Sequence, residues 1–283
     1  MPQATGTPGR GAQLGAPAGA RVGAGDRAGD GARFAGRLCA VTGAGSGIGA
    51  AVAARLAAEG AEVPVTDRSL AAAEAVAARI GASALRLDVT EEADWDALLA
   101  AAPVLDLLVN NAGVTGFESG PVPHDPEHAS LADWRAVHRV NLDGVFLGCR
   151  AAVRAMRPRG GAIVNVASVS GRSGQAMAAA YGSSKAAVLE HTRSVALWCA
   201  AQNLAIRCNA VLPGAVLTPL WDPVLGDGDS RDAALAEAVA DVPLRRFAAP
   251  EEVAALILWL ASDEAAYVTG AEFAVDGGLL AGR

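Results

Sequence analysis

A tyrosine stands four residues before a lysine in Tyr181-Gly182-Ser183-Ser184-Lys185, and a serine, Ser168, lies thirteen residues upstream of the tyrosine. Turning a secondary alcohol into a ketone needs a base for the hydroxyl proton and an acceptor for the hydride on carbon. A phenol with an ordinary pKa of about 10 is a poor base at neutral pH. A nearby ammonium, and the positive ring of an oxidised nicotinamide, favour the phenolate and lower that pKa. Positions i and i+4 share one helix face, so Tyr181 and Lys185 can face one site. Alone, Tyr-x-x-x-Lys is an ordinary helix pair. Ser168 changes that reading, because it ends an apolar run, Ala162 to Ala167, that reads as a buried strand. A hydroxyl at a strand's carboxyl end, where α/β sheets bind ligands, can hydrogen-bond a substrate oxygen.

Near the start of the chain, Thr42-Gly43-Ala44-Gly45-Ser46-Gly47-Ile48-Gly49 forms a glycine-rich turn. Before it, Arg37 to Thr42 reads as a short apolar strand. After it, Ala50 to Gly60 reads as a helix closed by a glycine. Strand, turn and helix in that order separate a phosphate-binding turn from a merely flexible one. Glycines let backbone N–H groups approach a pyrophosphate, and the helix N-terminus adds partial positive charge. Gly43, Gly47 and Gly49 follow a G-x-x-x-G-x-G spacing rather than G-x-G-x-x-G. The next strand, Glu62 to Thr66, ends at Asp67, an acid roughly 20 residues beyond the glycines, where ribose hydroxyls donate. That carboxylate would repel a 2′-phosphate, and no lysine or arginine lies inside the turn to offset it, so NAD is expected over NADP. Arg68 is the dissenting residue, because a guanidinium there could hold a phosphate.

The elements that must position these groups alternate. Helices are expected over Ala71–Ile80, closed by Gly81, and over Glu91–Ala102, Tyr181–Ala201 and Glu251–Ala261. Leu131–Met156 reads as one helix or two, with Asn141 inside; the residue alone reads as a helix cap. Strands are expected over Ala84–Leu87, Leu105–Val109, Ala205–Val211 and Glu272–Val275. Strands separated by helices predict an α/β fold with a Rossmann-type, doubly wound parallel sheet. The alternation never breaks after residue 34, so residues 34–283 are expected as a single domain. Residues 1–33 are rich in Gly, Ala and Arg and poor in large apolar side chains, and are expected as a disordered tail. The tail has neither an apolar stretch nor a cleavage-site pattern, which argues against a signal peptide.

Residues 114–130 form a Pro-rich insertion holding His124 and His128 at i, i+4 spacing. Pro123 and Pro126 speak against a helix there and no third ligand stands nearby, so a solvated loop is expected rather than a metal site. Hydrophobic residues make up 52% of the chain but aromatics only 4%, so alanine, valine and leucine must fill the core. The net charge of −7 argues against nucleic-acid or anionic-membrane partners. No uncharged apolar run is long enough for a membrane span. The four cysteines, Cys39, Cys149, Cys199 and Cys208, form no close pair and no metal spacing, and read as buried free thiols in a cytoplasmic protein.

Taken together, the chain resembles the short-chain dehydrogenase/reductase family from about Phe34 to its C-terminus. Thr42 to Gly49 resembles the family's cofactor turn, which implies cofactor contacts from Gly43, Ser46, Gly47, Ile48 and Gly49. Asp88-Val89 resembles the adenine-contacting pair, and Asn110-Asn111-Ala112-Gly113 the segment ending the fourth strand, with Asn110, Ala112 and Gly113 at the cofactor. Pro213-Gly214, Val216 and Thr218 fall in the segment that closes over the nicotinamide. Asn141, Ser168, Tyr181 and Lys185 occupy the positions of the catalytic tetrad. The resemblance implies Tyr181 as acid/base, Ser168 as the clamp on the substrate oxygen, Lys185 as holder of the ribose and modulator of the tyrosine, and Asn141 as holder of a water that links Lys185 to solvent. Ala93-Asp94-Trp95, Gly148-Cys149, Ala167-Ser168-Val169-Ser170, Ala205 to Asn209 and Ala261 to Glu264 are similar to bacterial 3β/17β-hydroxysteroid and alicyclic alcohol dehydrogenases.

Family members carry a substrate lid where this chain has residues 214–246. Leu217, Leu220, Trp221, Pro223, Val224 and Leu225 would offer an apolar wall there, and Asp227-Gly228-Asp229 a hinge. Ser170, Gln175 and Met177 could line the same pocket, which suits a bulky apolar alcohol or ketone. The expected activity is therefore NAD-dependent secondary-alcohol dehydrogenation or ketone reduction on a steroid or alicyclic substrate. An acyl-carrier-linked or polyketide-type ketoreductase is the alternative enzyme; Asp67 and the acidic balance speak against the acyl-carrier form. A non-catalytic dinucleotide sensor is the alternative from another class, and it has no need of the tetrad. The resemblance also implies a homotetramer or dimer through the helices bearing Asn141 and Tyr181; Val188, Leu189, Val195 and Leu197 suit either an interface or the core.

Overall fold

The computed structural model describes residues 32–118, 120, 122–222 and 231–282. Seven parallel strands form one sheet in the order β3-β2-β1-β4-β5-β6-β7. They are β1 Cys39–Val41, β2 Val65–Asp67, β3 Ala84–Arg86, β4 Leu107–Asn110, β5 Gly161–Val166, β6 Ile206–Pro213 and β7 Glu272–Val275. The helices are α1 Gly47–Ala58, α2 Leu70–Ile80, α3 Glu92–Ala101, α4 Leu131–His138, α5 Gly144–Met156, α6 Ala179–Ala201, α7 Arg231–Ala238 and α8 Pro250–Ala261. The chain winds outward from β1 to β3, then returns to β4 beside β1 and winds the other way. That reversal leaves a crevice at the carboxyl ends of β1 and β4.

Apolar side chains from α1, α2 and α8 cover one face of the sheet, and those from α3, α5 and α6 cover the other. Strands so enclosed are apolar on both faces, as in β1, whose Cys39, Ala40 and Val41 are fully buried. A buried valine or leucine contributes roughly 1.5–3 kcal/mol. Many such residues hold the layers together with only Phe34 and Trp95 as buried large aromatics among the described residues. Where layers approach closely the sequence supplies glycine: a Cβ on Gly148 of α5 would stand 2.2 Å from Asn110 Oδ1 and 2.8 Å from the Trp95 ring.

Several boundaries differ from the sequence expectation for local reasons. β2 begins at Val65 because Pro64 has no N–H to donate, and Glu62 makes only an isolated bridge to Leu38. The stretch 131–156 is continuous helix, but residues Arg139–Asp143 form a π-helical turn between α4 and α5. Asn141 sits inside that turn, fully buried, and does not cap a helix. The cysteines are all free and buried, yet not isolated: the Asn165 side chain lies 3.6 Å from both Cys149 Sγ and Cys208 Sγ. Of the residues weighed for an interface, Val188 and Leu189 belong to the core, whereas Leu197 is exposed. Residues 1–31 of the expected tail lie outside the described residues, while Arg33 pairs with Glu59 at 2.7 Å. Pro223, Val224, Leu225 and the Asp227-Gly228-Asp229 turn also lie outside them. No helix among the described residues is long and apolar enough to cross a membrane.

Candidate active site

A cleft of about 1400 Å³ opens at the crevice and runs from the glycine turn past β4 and β5 to Trp221. Gly43 and Gly47 take positive φ values of 63° and 52°, which a side chain would resist. Gly49 serves a different purpose, since a Cβ there would lie 2.3 Å from the Gly43 carbonyl oxygen; it packs the turn and does not line the cleft. The start of α1 is left open. Ser69 and Ser130 cap α2 and α4 with their hydroxyls, and Glu252 accepts from Ala249 N before α8. Ser46, at the same position before α1, makes no side-chain cap. The first turn of α1 carries no acid, and Ser46, Gly47 and Ile48 line the cleft. Uncapped N–H groups at a positive helix end, beside glycines that leave room, fit a pyrophosphate.

Asp67 stands at the next strand end with one donor on each oxygen, Gly45 N at 3.1 Å and Ser69 N at 2.9 Å. Each oxygen keeps a lone pair for a ribose hydroxyl. Arg68, Asp88, Val89, Ala112, Gly113, Pro213, Gly214, Val216 and Thr218 also line the cleft. Asn110 does not. Its amide donates to Asn165 Oδ1 at 2.9 Å in the buried polar group that includes Cys149. Asn111, which no spacing argument singled out, locks the turn by donating to the carbonyls of Thr42 and Gly43 at 2.9 and 3.2 Å.

Farther along, Ser168 and Tyr181 line the cleft together, and Ser168 Oγ accepts from Ser170 N at 3.1 Å. Burial pushes the Tyr181 pKa up; the neighbouring Ser168 hydroxyl opposes that, and the charge of Glu118 adds to it. Lys185 is buried beneath the phenol, with Nζ 5.8 Å from the ring centroid and donating to Val166 O at 2.9 Å. Burial pulls the Lys185 pKa down to about 8. Asn141 Oδ1 accepts from Val114 N, and Nδ2 donates to Val114 O and to Ser184 Oγ, at 2.8, 2.8 and 3.1 Å. The side chain thus ties the π-helical turn to the loop after β4 and to α6, behind the cleft wall. Gly113 separates Asn141 from Lys185; a Cβ there would sit 3.2 Å from Asn141 Oδ1 and 3.3 Å from Lys185 Nζ. Placing a hydroxyl, a phenol and a buried ammonium in one cleft permits proton exchange with a carbinol oxygen.

Ser170, Gln175, Leu220 and Trp221 line the outer part of the cleft. Met177 does not: it is 67% exposed, on the turn before α6. Trp221 stacks edge-on against Phe247, 5.2 Å between centroids, so it is both a packing anchor and a cleft wall. The described residues of the insertion form an irregular loop, half-buried or exposed as expected, with one exception. His124 is buried, with Nε2 3.0 Å from the Gly116 carbonyl, whereas exposed His128 pairs with Asp125 at 2.9 Å. Phe117 and Glu118 from the same segment, and Asp241, line the cleft, and no periodicity in the sequence marked them.

A family model described as "Enoyl-(Acyl carrier protein) reductase" matches residues 43–280. The chain is 37% identical over 228 residues to a 3-beta-hydroxysteroid dehydrogenase of Comamonas testosteroni, covering 78% of this chain and 87% of that one. It is 40% identical over 203 residues to a trans-4-hydroxycyclohexanecarboxylate dehydrogenase of Sinomonas cyclohexanicum, covering 70% and 71%. It is 35% identical over 234 residues to an NADP-dependent (R)-specific alcohol dehydrogenase of Lentilactobacillus kefiri, covering 79% and 88%.

Proposed function

The chain belongs to the short-chain dehydrogenase/reductase family and is an oxidoreductase of CH–OH groups, and from that premise we propose that it interconverts bulky apolar secondary alcohols and ketones with NAD and with Tyr181 as acid/base. The convergence of Ser168, Tyr181 and Lys185 at one end of a dinucleotide-sized cleft carries this reading.

The glycine turn and the open start of α1 hold the pyrophosphate, and Asp67 holds the adenosine ribose. When bound, the nicotinamide supplies the acceptor or donor of hydride. Ser168 holds the substrate oxygen, and Tyr181 takes the hydroxyl proton during oxidation and returns it during reduction. Burial alone makes the phenolate costly, so Lys185 must supply the opposing charge. Asn141 fixes the wall behind Lys185, where a water can pass the proton onward. Leu220, Trp221 and Phe117 give the outer cleft its apolar character and support a steroid or alicyclic substrate. Asp67 supports NAD, although the L. kefiri relative is named as NADP-dependent. The tetrad makes the dinucleotide-sensor reading redundant.

The four free buried thiols suit a reducing cytoplasm. Phe146, Leu197 and Trp198 leave α5 and α6 with exposed apolar side chains, which supports pairing of copies into a dimer or tetramer through these helices.

The test is reduction of NAD, and separately of NADP, by the purified protein across steroid and alicyclic secondary alcohols. Turnover with NAD that Tyr181→Phe abolishes, while NADH binding persists, is the expected result. NADH binding without turnover of any alcohol would favour the sensor.

A further inference from the structure

Resting on the reading of Tyr181 as the acid/base, we propose that Glu118 makes this cleft select uncharged alcohols and ketones against substrates that carry a carboxylate near the carbinol. Glu118 is built into the rim rather than waving from it. Thr115 N and Oγ1 donate to its Oε1 at 2.5 and 2.8 Å, and Gly116 N donates to its Oε2 at 2.9 Å. The turn that aims these donors needs glycine: Gly116 has φ of 100°, and a Cβ there would fall 2.5 Å from His124 Cε1. His124 closes the loop from behind. Its ring bonds the Gly116 carbonyl and packs edge-on against Phe117, and its own carbonyl accepts from Ala179 N at 3.1 Å, in the first turn of the tyrosine helix. The loop is therefore registered to the helix that carries Tyr181. Glu118 is exposed, and the three donors fix the direction in which its carboxylate points.

The charge lies where substrate must enter. Glu118 lines the cleft beside Phe117, and its field reaches the Tyr181 hydroxyl. Among the described residues, the basic side chains lining the same cleft are Arg68, Arg135, Arg139 and Lys185. Arg68 follows Asp67 at the ribose end, Arg139 pairs with Glu91, and Arg135 is one turn before it on α4. Lys185 is buried below the phenol. On the loop after β4 the charged lining is acidic, Glu118. Like charges brought together without a counter-ion are strongly disfavoured.

The experiment compares kcat/KM for 4-methylcyclohexanol and 4-hydroxycyclohexanecarboxylate in the wild type and in Glu118→Gln, with Tyr181→Phe alongside. The wild type should favour the neutral alcohol, and Glu118→Gln should narrow that ratio about tenfold through the KM of the carboxylate. The same variant should move the pH profile of oxidation to lower pH, because a negative charge facing the phenol is gone. In the wild type, added salt should raise kcat/KM for the carboxylate selectively, which needs no variant. An unchanged ratio in Glu118→Gln, with no salt effect and Tyr181→Phe inactive, would overturn the inference and leave the proposed function standing. A Tyr181→Phe enzyme that still turns over would overturn both.

Discussion

Lys185→Met should make the protein more stable and less active. The lysine is 4% exposed, and its ammonium has a single protein acceptor among the described contacts, Val166 O. Its ordinary pKa is 10.5, and burial brings it to about 8. Each decade of proton affinity corresponds to about 1.4 kcal/mol. Holding the charge inside the fold at neutral pH therefore costs about 3 kcal/mol, of which loss of the Val166 hydrogen bond in the variant returns about 1 kcal/mol. Methionine matches the length of the lysine stem and brings no charge. The net gain of about 2 kcal/mol corresponds to a rise in melting temperature of roughly 4–8 °C for a domain of this size.

The pH dependence identifies the cause. A lysine whose folded pKa lies below its unfolded value leaves the unfolded chain with the extra proton between about pH 8 and 10.5. Stability from this group then grows as the pH rises through that window. The gap between variant and wild type should shrink over the same range. Thermal melts of the dinucleotide-free protein at stepped pH measure it, and turnover should fall at least about hundredfold in the same variant. A variant that melts below the wild type at neutral pH, or a gap that stays constant to high pH, would refute the argument that the fold strains to keep this charge.

Tyr181→Phe should bind NADH within threefold of the wild type by fluorescence titration and lose about a hundredfold or more in kcat. Asp67→Ala should reduce the NAD-to-NADP ratio of kcat/KM about tenfold, since charge-assisted hydrogen bonds to a ribose are worth about 1.5–3 kcal/mol; an unchanged ratio would mean that this carboxylate does not face the ribose. Gly171→Ala would place a Cβ 2.9 Å from Ala186 N and from the Lys185 carbonyl carbon, pushing the serine turn off α6. It should lower kcat about tenfold while NADH affinity holds, and an unaltered kcat would show that the turn yields without moving Ser168.

The sequence made the sheet legible because its strands are short apolar runs between helical segments punctuated by glycine. It made Tyr181, Lys185 and Ser168 legible as one group because one helix holds the first two and one strand end holds the third. The rest depends on partners far along the chain. The π-helical turn around Asn141 is stabilised by Val114 and Ser184, 27 and 43 residues away. No local propensity announces it. Asn110 looked like a cofactor residue from its place in Asn110-Asn111-Ala112-Gly113. Strand alternation instead turns it into the core against Asn165, and Asn111 on the other side locks the glycine turn. Met177 looked like a pocket residue because it lies between Ser168 and Tyr181, yet a turn carries it outward.

A physical asymmetry separates the two kinds of residue. Proton transfer needs groups within hydrogen-bond reach of one oxygen, and the surest way to fix them is to mount them on one rigid element at a fixed helical spacing. That spacing survives in the linear sequence. The rim of the cleft is lined by Phe117, Glu118 and Trp221, which loops and short turns deliver. Loops have no period, and their geometry is written by contacts such as His124 to Gly116 and Ala179 N to His124 O. The tyrosine–lysine spacing, joined to Ser168 and the family resemblance, is therefore readable in the sequence, whereas the shape of the rim emerges only when the insertion has folded back on the tyrosine helix.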